Sequence, residues 1–98
     1  MKKRLESGIS ARSVGFSELS WVKIHAEELG LKGVIAVQND GSIKIIAEGP
    51  EEDLIIFAQE LEKEEHSLSR VENFYINWEK PTGEFQDFSI LAEHEELV

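Results

Sequence analysis

The feature that most constrains the fold of this chain is a pair of short β-branched runs joined by a turn sequence. Val34–Val37 is apolar, Ile43–Ala47 is apolar apart from Lys44, and Asn39-Asp40-Gly41 lies between them. β-branched residues favour strands, and asparagine, aspartate and glycine tolerate the positive φ angles of a tight reversal. The sequence therefore predicts an antiparallel hairpin in the middle of the chain.

Helix and strand patterns flank this hairpin on both sides. Apolar residues at spacings of three and four predict two helices, and alternating apolar residues predict strands. The first helix ends at Gly30, and the second starts at Gly49-Pro50, because proline suits the first helical position. The predicted elements outside the hairpin are a strand over 4–11, helices over 18–29 and 51–64, and strands over 71–78 and 85–91.

The first six of these elements follow the order β-α-β-β-α-β, and this order predicts the fold class. We expect an α+β, ferredoxin-like βαββαβ sandwich in which a four-stranded antiparallel sheet is covered on one face by two helices. The 98 residues show no break in composition, so they have room for one hydrophobic core. We therefore predict a single domain over residues 1–98, with a core of about 4–91 and an acidic C-terminal end over 92–98.

Charge and composition exclude several classes of partner and cofactor. Ten basic and twenty acidic residues give a net charge of −10, which repels the phosphate backbone of nucleic acids. Cysteine is absent, and the three histidines lack the spacing of metal ligands, so we predict no metal site and no cofactor. The basic start Met1–Arg4 is followed by Glu6-Ser7-Gly8 instead of an apolar stretch. We therefore expect a cytoplasmic monomer with no membrane or nucleic-acid partner.

Six short stretches occur in an order that is typical of one enzyme family. They are Val14-Gly15-Phe16, His25–Gly33, Asp40-Gly41, Ala47-Glu48-Gly49-Pro50, Arg70-Val71 and Pro81–Phe85. The match covers about residues 4–91 in the same order, and in these stretches the chain resembles the acylphosphatases, small enzymes that hydrolyse carboxylic–phosphoric anhydrides. The resemblance implies the same βαββαβ fold and a phosphate site on the loop after the first strand.

In the family, this loop holds a phosphate with backbone N–H groups and with one arginine. The corresponding anion-binding candidates in this chain are Arg12, Ser13, Val14, Gly15, Phe16 and Ser17. The position of the family's arginine falls on Ser17 when the chain is aligned on Val14-Gly15-Phe16, and on Leu19 when it is aligned without a gap from His25-Ala26. Both registers lose the positive charge.

The resemblance also implies an asparagine on the second strand, which orients the attacking water. Counting from Gly33 and on to Asp40-Gly41, its position falls on Val37, whose side chain forms no hydrogen bond. Asn39, two residues later, is interpreted as a turn residue. Loss of one preorganised donor commonly lowers the rate roughly 100- to 1,000-fold. We therefore expect a domain without efficient hydrolysis, which binds a small anionic ligand or a protein partner.

Two alternatives remain open. Arg12 is the one basic residue of the loop, and a weak or altered acylphosphatase that uses Arg12 for phosphate is the main alternative. The other is a domain with no ligand at the family site and with protein contacts elsewhere. Among the remaining candidates, His25 is interpreted as structural, and Trp21 and Trp78 are expected to pack into the core.

Overall fold

The structure is a computed structural model that describes residues 1–11, 16–67 and 71–92. Its elements, in chain order, are β1 (Lys2–Ala11), α1 (Phe16–Glu28), β2 (Lys32–Val37), β3 (Ile43–Pro50), α2 (Glu51–Ser67), β4 (Val71–Glu79) and β5 (Phe88–Ala92). Every predicted helix and strand is present, with ends that differ by a few residues. Pro50, predicted at the start of a helix, instead closes β3, and α2 begins at Glu51.

The strands form one five-stranded sheet in the order β4-β1-β3-β2-β5. β1 is antiparallel to both β3 and β4, and β2 is antiparallel to β3. β5 runs parallel to β2, from the pair Gly33 and Phe88 to the pair Val37 and Ala92. The ferredoxin-like α+β class is confirmed, but the prediction of four strands, all antiparallel, is wrong in the number of strands and in the direction of the last one.

The direction of β5 follows from where β4 ends. β4 is antiparallel to β1, and β1 and β2 are both antiparallel to β3, so β4 runs opposite to β2. The chain therefore leaves β4 at the end of the sheet where β2 starts. It crosses that end in residues 80–87 and enters β5 beside the first residues of β2, which makes the two strands parallel.

The hairpin between β2 and β3 closes as its turn sequence predicts. Gln38 N–H donates to Ser42 O at 2.8 Å, and Gly41 N–H donates to Gln38 O at 3.0 Å. Gly41 has a φ of 88°, a conformation that favours glycine. Asp40 Oδ1 accepts hydrogen bonds from the Ser42 hydroxyl and from the Ser42 backbone N–H, and these bonds lower the pKa of Asp40. Asn39 is exposed in this turn.

Both helices bury their apolar sides in a single core on one face of the sheet. Alternation along the strands brings Leu5, Ile35 and Ile45 to this face, and each is fully buried. Phe57 of α2 makes an edge contact with Phe88, at 6.3 Å between ring centroids, which attaches β5 to the same core. The other buried core residues are Ile9, Val22, Ala26, Leu31, Ile43, Ala47, Leu54, Ala58 and Leu61.

The two tryptophans have different environments. Trp21 packs against the core, and the centroids of the Trp21 and His25 rings are 4.1 Å apart. His25 Nδ1 is also 3.1 Å from Trp21 O, so this histidine has packing and hydrogen-bond partners within α1. Trp78, in contrast, is 45% exposed, and the prediction that it packs into the core is wrong. Within residues 1–11, 16–67 and 71–92, no helix has both the length and the apolar character to cross a membrane.

Candidate functional site

The loop singled out from the sequence joins the end of β1 to the start of α1. β1 ends at Ala11, and α1 begins at Phe16. Arg12, Ser13, Val14 and Gly15 lie outside the described residues. Phe16 and Ser17 belong to the first turn of α1, where backbone N–H groups have no partner within the helix.

Leu19, one of the two candidate positions for the family's arginine, lies in the first part of α1 and packs against the hydrophobic core. A side chain at this position is directed toward apolar neighbours, and a guanidinium there would need polar partners to offset its loss of hydration.

Val37 is the last residue of β2 and lies on the helix-covered face of the sheet. It shares this face with Ile35, two residues earlier, because side chains alternate along a strand. In the neighbouring strands, Val37 is paired with Ile43, and Ile43 is paired with Ile9. Ile9 and Ile43 are each 5% exposed, so Val37 continues an apolar row across three strands.

On the opposite, open face of the sheet, a shallow cavity of about 360 Å³ lies around Gly8, near the same end of the sheet. The Tyr75 ring covers Gly8 so closely that a Cβ atom there would come within 2.2 Å of Tyr75 Cε1. Lys44, also at this cavity, pairs with Glu6 at 2.8 Å, and this hydrogen bond raises the pKa of Lys44. Ser10, Asn73 and Gln38 add polar groups to the lining of this cavity.

The other end of the open face carries a network of charged residues that sequence analysis missed. Glu79, Arg4, Glu48 and Lys32 are successive pairing partners across β4, β1, β3 and β2. Their charges alternate in sign along this row. Arg4 Nη1 donates to Glu48 Oε2 at 3.0 Å and to Glu84 Oε1 at 2.9 Å.

Glu48 connects this row to the segment between β4 and β5. It is 7% exposed and accepts hydrogen bonds from Thr82 N–H at 2.9 Å and from Gly83 N–H at 2.8 Å. The Thr82 hydroxyl donates a further bond at 2.9 Å. Burial alone would raise the pKa of Glu48, but these bonds and the one from Arg4 outweigh it and lower the pKa.

Arg4 is surrounded by acids and by one aromatic ring. Its Nε atom is 3.3 Å from Glu79 Oε1 in an ion pair whose geometry does not make a hydrogen bond. The guanidinium lies 5.8 Å from the centroid of the Phe85 ring. The hydrogen bond to Glu84 is the largest contribution to its raised pKa. The network therefore fastens residues 80–87 across the end of the sheet and has a structural role.

A partial signal for this network was present in the sequence. Ala47–Pro50 and Pro81–Phe85 both belong to the stretches that resemble the acylphosphatases, and the structure brings them together at Glu48. Their meeting could not be derived from spacing, because Glu48 and Thr82 lie on segments joined through α2 and β4.

The order of the strands in the sheet and the two helices on one face define a small ferredoxin-like α+β domain. A family model described as Acylphosphatase matches residues 12–90. An acylphosphatase of Paenarthrobacter aurescens (strain TC1) is 34% identical over 88 residues, which cover 90% of this chain and 93% of the relative. The chain belongs to the acylphosphatase family.

Solved structures extend the comparison of the fold. The acylphosphatase from Bacillus subtilis matches with a TM-score of 0.73 and 23% identity over 93% of this chain and 99% of that one. Full-length HypF, in its phosphate- and nucleotide-bound form, matches with a TM-score of 0.79 and 24% identity. That match covers 94% of this chain but 12% of HypF, so the same fold also occurs inside a much larger protein.

Proposed function

We propose that this domain has lost efficient hydrolysis of acyl phosphates and acts as a binding module for a small anionic ligand or a protein partner. The observation that carries the proposal is the apolar row at the end of β2. Val37 corresponds to the family's asparagine in our alignment, and it continues the buried pair Ile9 and Ile43. A water molecule beside these side chains would find no hydrogen-bond partner among them.

The missing cation supports the same proposal. An acyl phosphate carries negative charge on its transferred group, and a guanidinium stabilises that charge with two parallel hydrogen bonds. One candidate position holds Leu19, which packs against the core, and the other holds Ser17, which is uncharged. Because each lost donor lowers the rate roughly 100- to 1,000-fold, losing both groups leaves little catalysis.

Charge favours one kind of partner over the other. At a net charge of −10, the chain repels small anions at long range, so such a ligand depends on close contacts with backbone N–H groups. A protein partner with a basic surface would instead be attracted, and its association would slow as salt screens the charges.

The second candidate function is weak hydrolysis that uses Arg12. It is favoured by the 34% identity to a relative named as an acylphosphatase over nine tenths of this chain. In this version of the site, Arg12 binds the phosphate from the loop, and water is oriented by a group other than Val37.

Hydrolysis of acetyl phosphate separates the two candidates. We expect the rate with the full chain at neutral pH to stay near the uncatalysed background. Turnover like that of an ordinary family member, abolished in Arg12→Gln and retained in Lys80→Gln, would overturn our proposal and establish the second candidate. Lys80 is a suitable control because it is exposed at the other end of the sheet.

A titration with inorganic phosphate tests the binding half of the proposal. Amide shifts are followed by NMR over residues 11–19. Saturable shifts in this segment, without turnover, support an anion-binding module. Shifts absent up to millimolar phosphate would exclude the small anion and restrict the proposal to a protein partner.

A further inference from the structure

β4 has one free edge. It pairs with β1 on one side, and no other strand of residues 1–11, 16–67 and 71–92 pairs with it on the other. A free edge presents unpaired backbone N–H and C=O groups, which can pair with a second chain. β4 spans nine residues, whereas β5, at the other edge, spans five.

The sequence of β4 lacks the usual devices that keep a strand edge from pairing. Proteins commonly protect edges with lysine, proline, inward-pointing charges or bulges. β4 contains no lysine, proline or glycine, and residues 73–78 are all uncharged. Its one irregularity is near the start, where Ser10 pairs with Asn73 but Ala11 pairs with Val71. Residues 73–78 therefore form a regular edge without charged side chains.

A hydrogen bond identifies which residues of β4 point their backbone groups outward. The Ser7 hydroxyl on β1 donates to Tyr75 O at 2.9 Å, so the Tyr75 carbonyl is turned toward β1. Both backbone groups of one residue point to the same side of a strand, and successive residues alternate. The outward groups of the regular edge therefore belong to Phe74, Ile76 and Trp78.

Phe74 and Trp78 lie two residues before and two residues after Ile76. An antiparallel pairing centred on Ile76 therefore places outward-pointing residues opposite outward-pointing residues. We infer that two copies of this chain pair through β4 in an antiparallel two-fold arrangement centred on Ile76, which joins their five-stranded sheets into one continuous sheet. Phe74 then pairs with Trp78 of the second copy, and Ile76 pairs with Ile76. Each of these pairs exchanges two backbone hydrogen bonds.

The side chains agree with this register. Trp78, a large aromatic residue that is 45% exposed, gains Phe74 of the second copy as its cross-strand neighbour on the helix-covered face. On the open face, Asn73 lies opposite Glu79, so no like charges are paired. A shift of the centre to Tyr75 would instead place Trp78 opposite Glu72, the residue that the β1–β4 pairing skips.

The dimer departs from the monomer expected from the sequence, and the net charge defines its salt dependence. Two chains of charge −10 repel each other, and salt screens this repulsion. We therefore expect the dissociation constant of the dimer to fall as salt rises from about 10 mM to about 300 mM, because the Debye length shortens over this range from about 30 Å to under 10 Å.

Sedimentation equilibrium of the full chain tests the pairing and its register. Asn73→Glu places like charges opposite each other twice per dimer and should raise the dissociation constant about 2- to 30-fold, whereas Asn73→Lys should lower it. Asn77→Lys is the matched control. It makes the same charge change on the same face but lies opposite Tyr75, so it should behave like the unchanged chain apart from a small effect of net charge.

Hydrogen exchange measured by NMR gives a second readout that does not depend on substitution. The amides of Phe74, Ile76 and Trp78 should gain protection as protein concentration rises, while the amides of Tyr75 and Asn77 should change little. A monomer at about 1 mM protein in 300 mM salt would overturn the inference. A dimer with equal effects of Asn73→Lys and Asn77→Lys, or with those three amides unprotected, would also overturn it. All of these outcomes concern self-association and are independent of acetyl phosphate hydrolysis.

Discussion

Arg4 and Glu48 lie directly opposite each other on β1 and β3, and Arg4 Nη1 donates to Glu48 Oε2 at 3.0 Å. Glu48 also accepts the N–H groups of Thr82 and Gly83. One carboxylate therefore holds two central strands and the segment that leads to β5. This clamp lies at the end of the sheet away from Val37, where it stabilises the scaffold without entering the candidate site.

The first prediction is that Glu48→Gln lowers the free energy of unfolding by about 1–3 kcal/mol, the usual cost of leaving buried polar groups unsatisfied. The amide keeps one acceptor oxygen, so its NH2 group would face either the Gly83 N–H in place of Oε1 or the donors of Thr82 and Arg4 in place of Oε2. Urea denaturation monitored by circular dichroism measures the change. Glu84→Gln is the control, because it removes an exposed partner of Arg4 and should cost much less. Equal losses in the two variants would contradict the clamp.

The second prediction concerns pH. The pKa of Glu48 is lowered in the folded state, so its ionisation stabilises the fold above the ordinary glutamate pKa of 4.5, and this contribution is lost as pH falls through the lowered folded-state pKa. The difference in unfolding free energy between the unchanged chain and Glu48→Gln should therefore be constant from about pH 6 to 8 and shrink below about pH 4.5. A difference that grows on acidification would refute this assignment.

The sequence predicted the parts of the fold that depend on local chemistry. Asn39-Asp40-Gly41 has the residue types of a reversal, and the hairpin follows. The direction of β5 could not be predicted, because alternation along a strand contains no information about which neighbour it pairs with. The Arg4 and Glu48 clamp was missed for a related reason, since its members are brought together only by the complete sheet.

The candidate site was less predictable than the fold. Val37 lies on the core-facing side of β2 because side chains alternate from the buried Ile35, a placement that needs the observed strand and its burial. The helical spacing of Leu19 likewise fits its packing against the core. The roles assigned to Arg12 and its neighbours through Gly15 stay predictions, since those residues lie outside the described part of the chain.

The third prediction is that Gly33→Ala costs at least about 2 kcal/mol in unfolding free energy, because a Cβ atom there would meet the Ile46 carbonyl oxygen at 1.8 Å. This oxygen belongs to the backbone of β3, so relief requires the two strands to move apart. Gly41→Ala is the comparison, with a positive φ but open space around it, and should cost about 1 kcal/mol. Thermal or urea unfolding measures both, and an equal cost would show that the contact at Gly33 relaxes freely.

The fourth prediction concerns restoring the two catalytic groups. Val37→Asn combined with either Ser17→Arg or Leu19→Arg should still hydrolyse acetyl phosphate far more slowly than a family enzyme. Catalytic groups must be held within roughly half an ångström of their working positions, and exchanging residue types does not rebuild the loop that presents N–H groups to phosphate. The spacing around that loop is also altered, because the two registers place the family's arginine on Ser17 or on Leu19, two residues apart.

The two double variants should also differ in stability, which gives the experiment an internal comparison. Leu19 packs against the core, so the variant with Leu19→Arg should lose more unfolding free energy than the variant with Ser17→Arg. Turnover is therefore measured after circular dichroism has established that each protein is folded. Strong recovery in one variant would identify the correct register of the loop and would mean that the phosphate cradle persists. In that case the domain is a recently silenced enzyme, and the binding-module proposal is wrong.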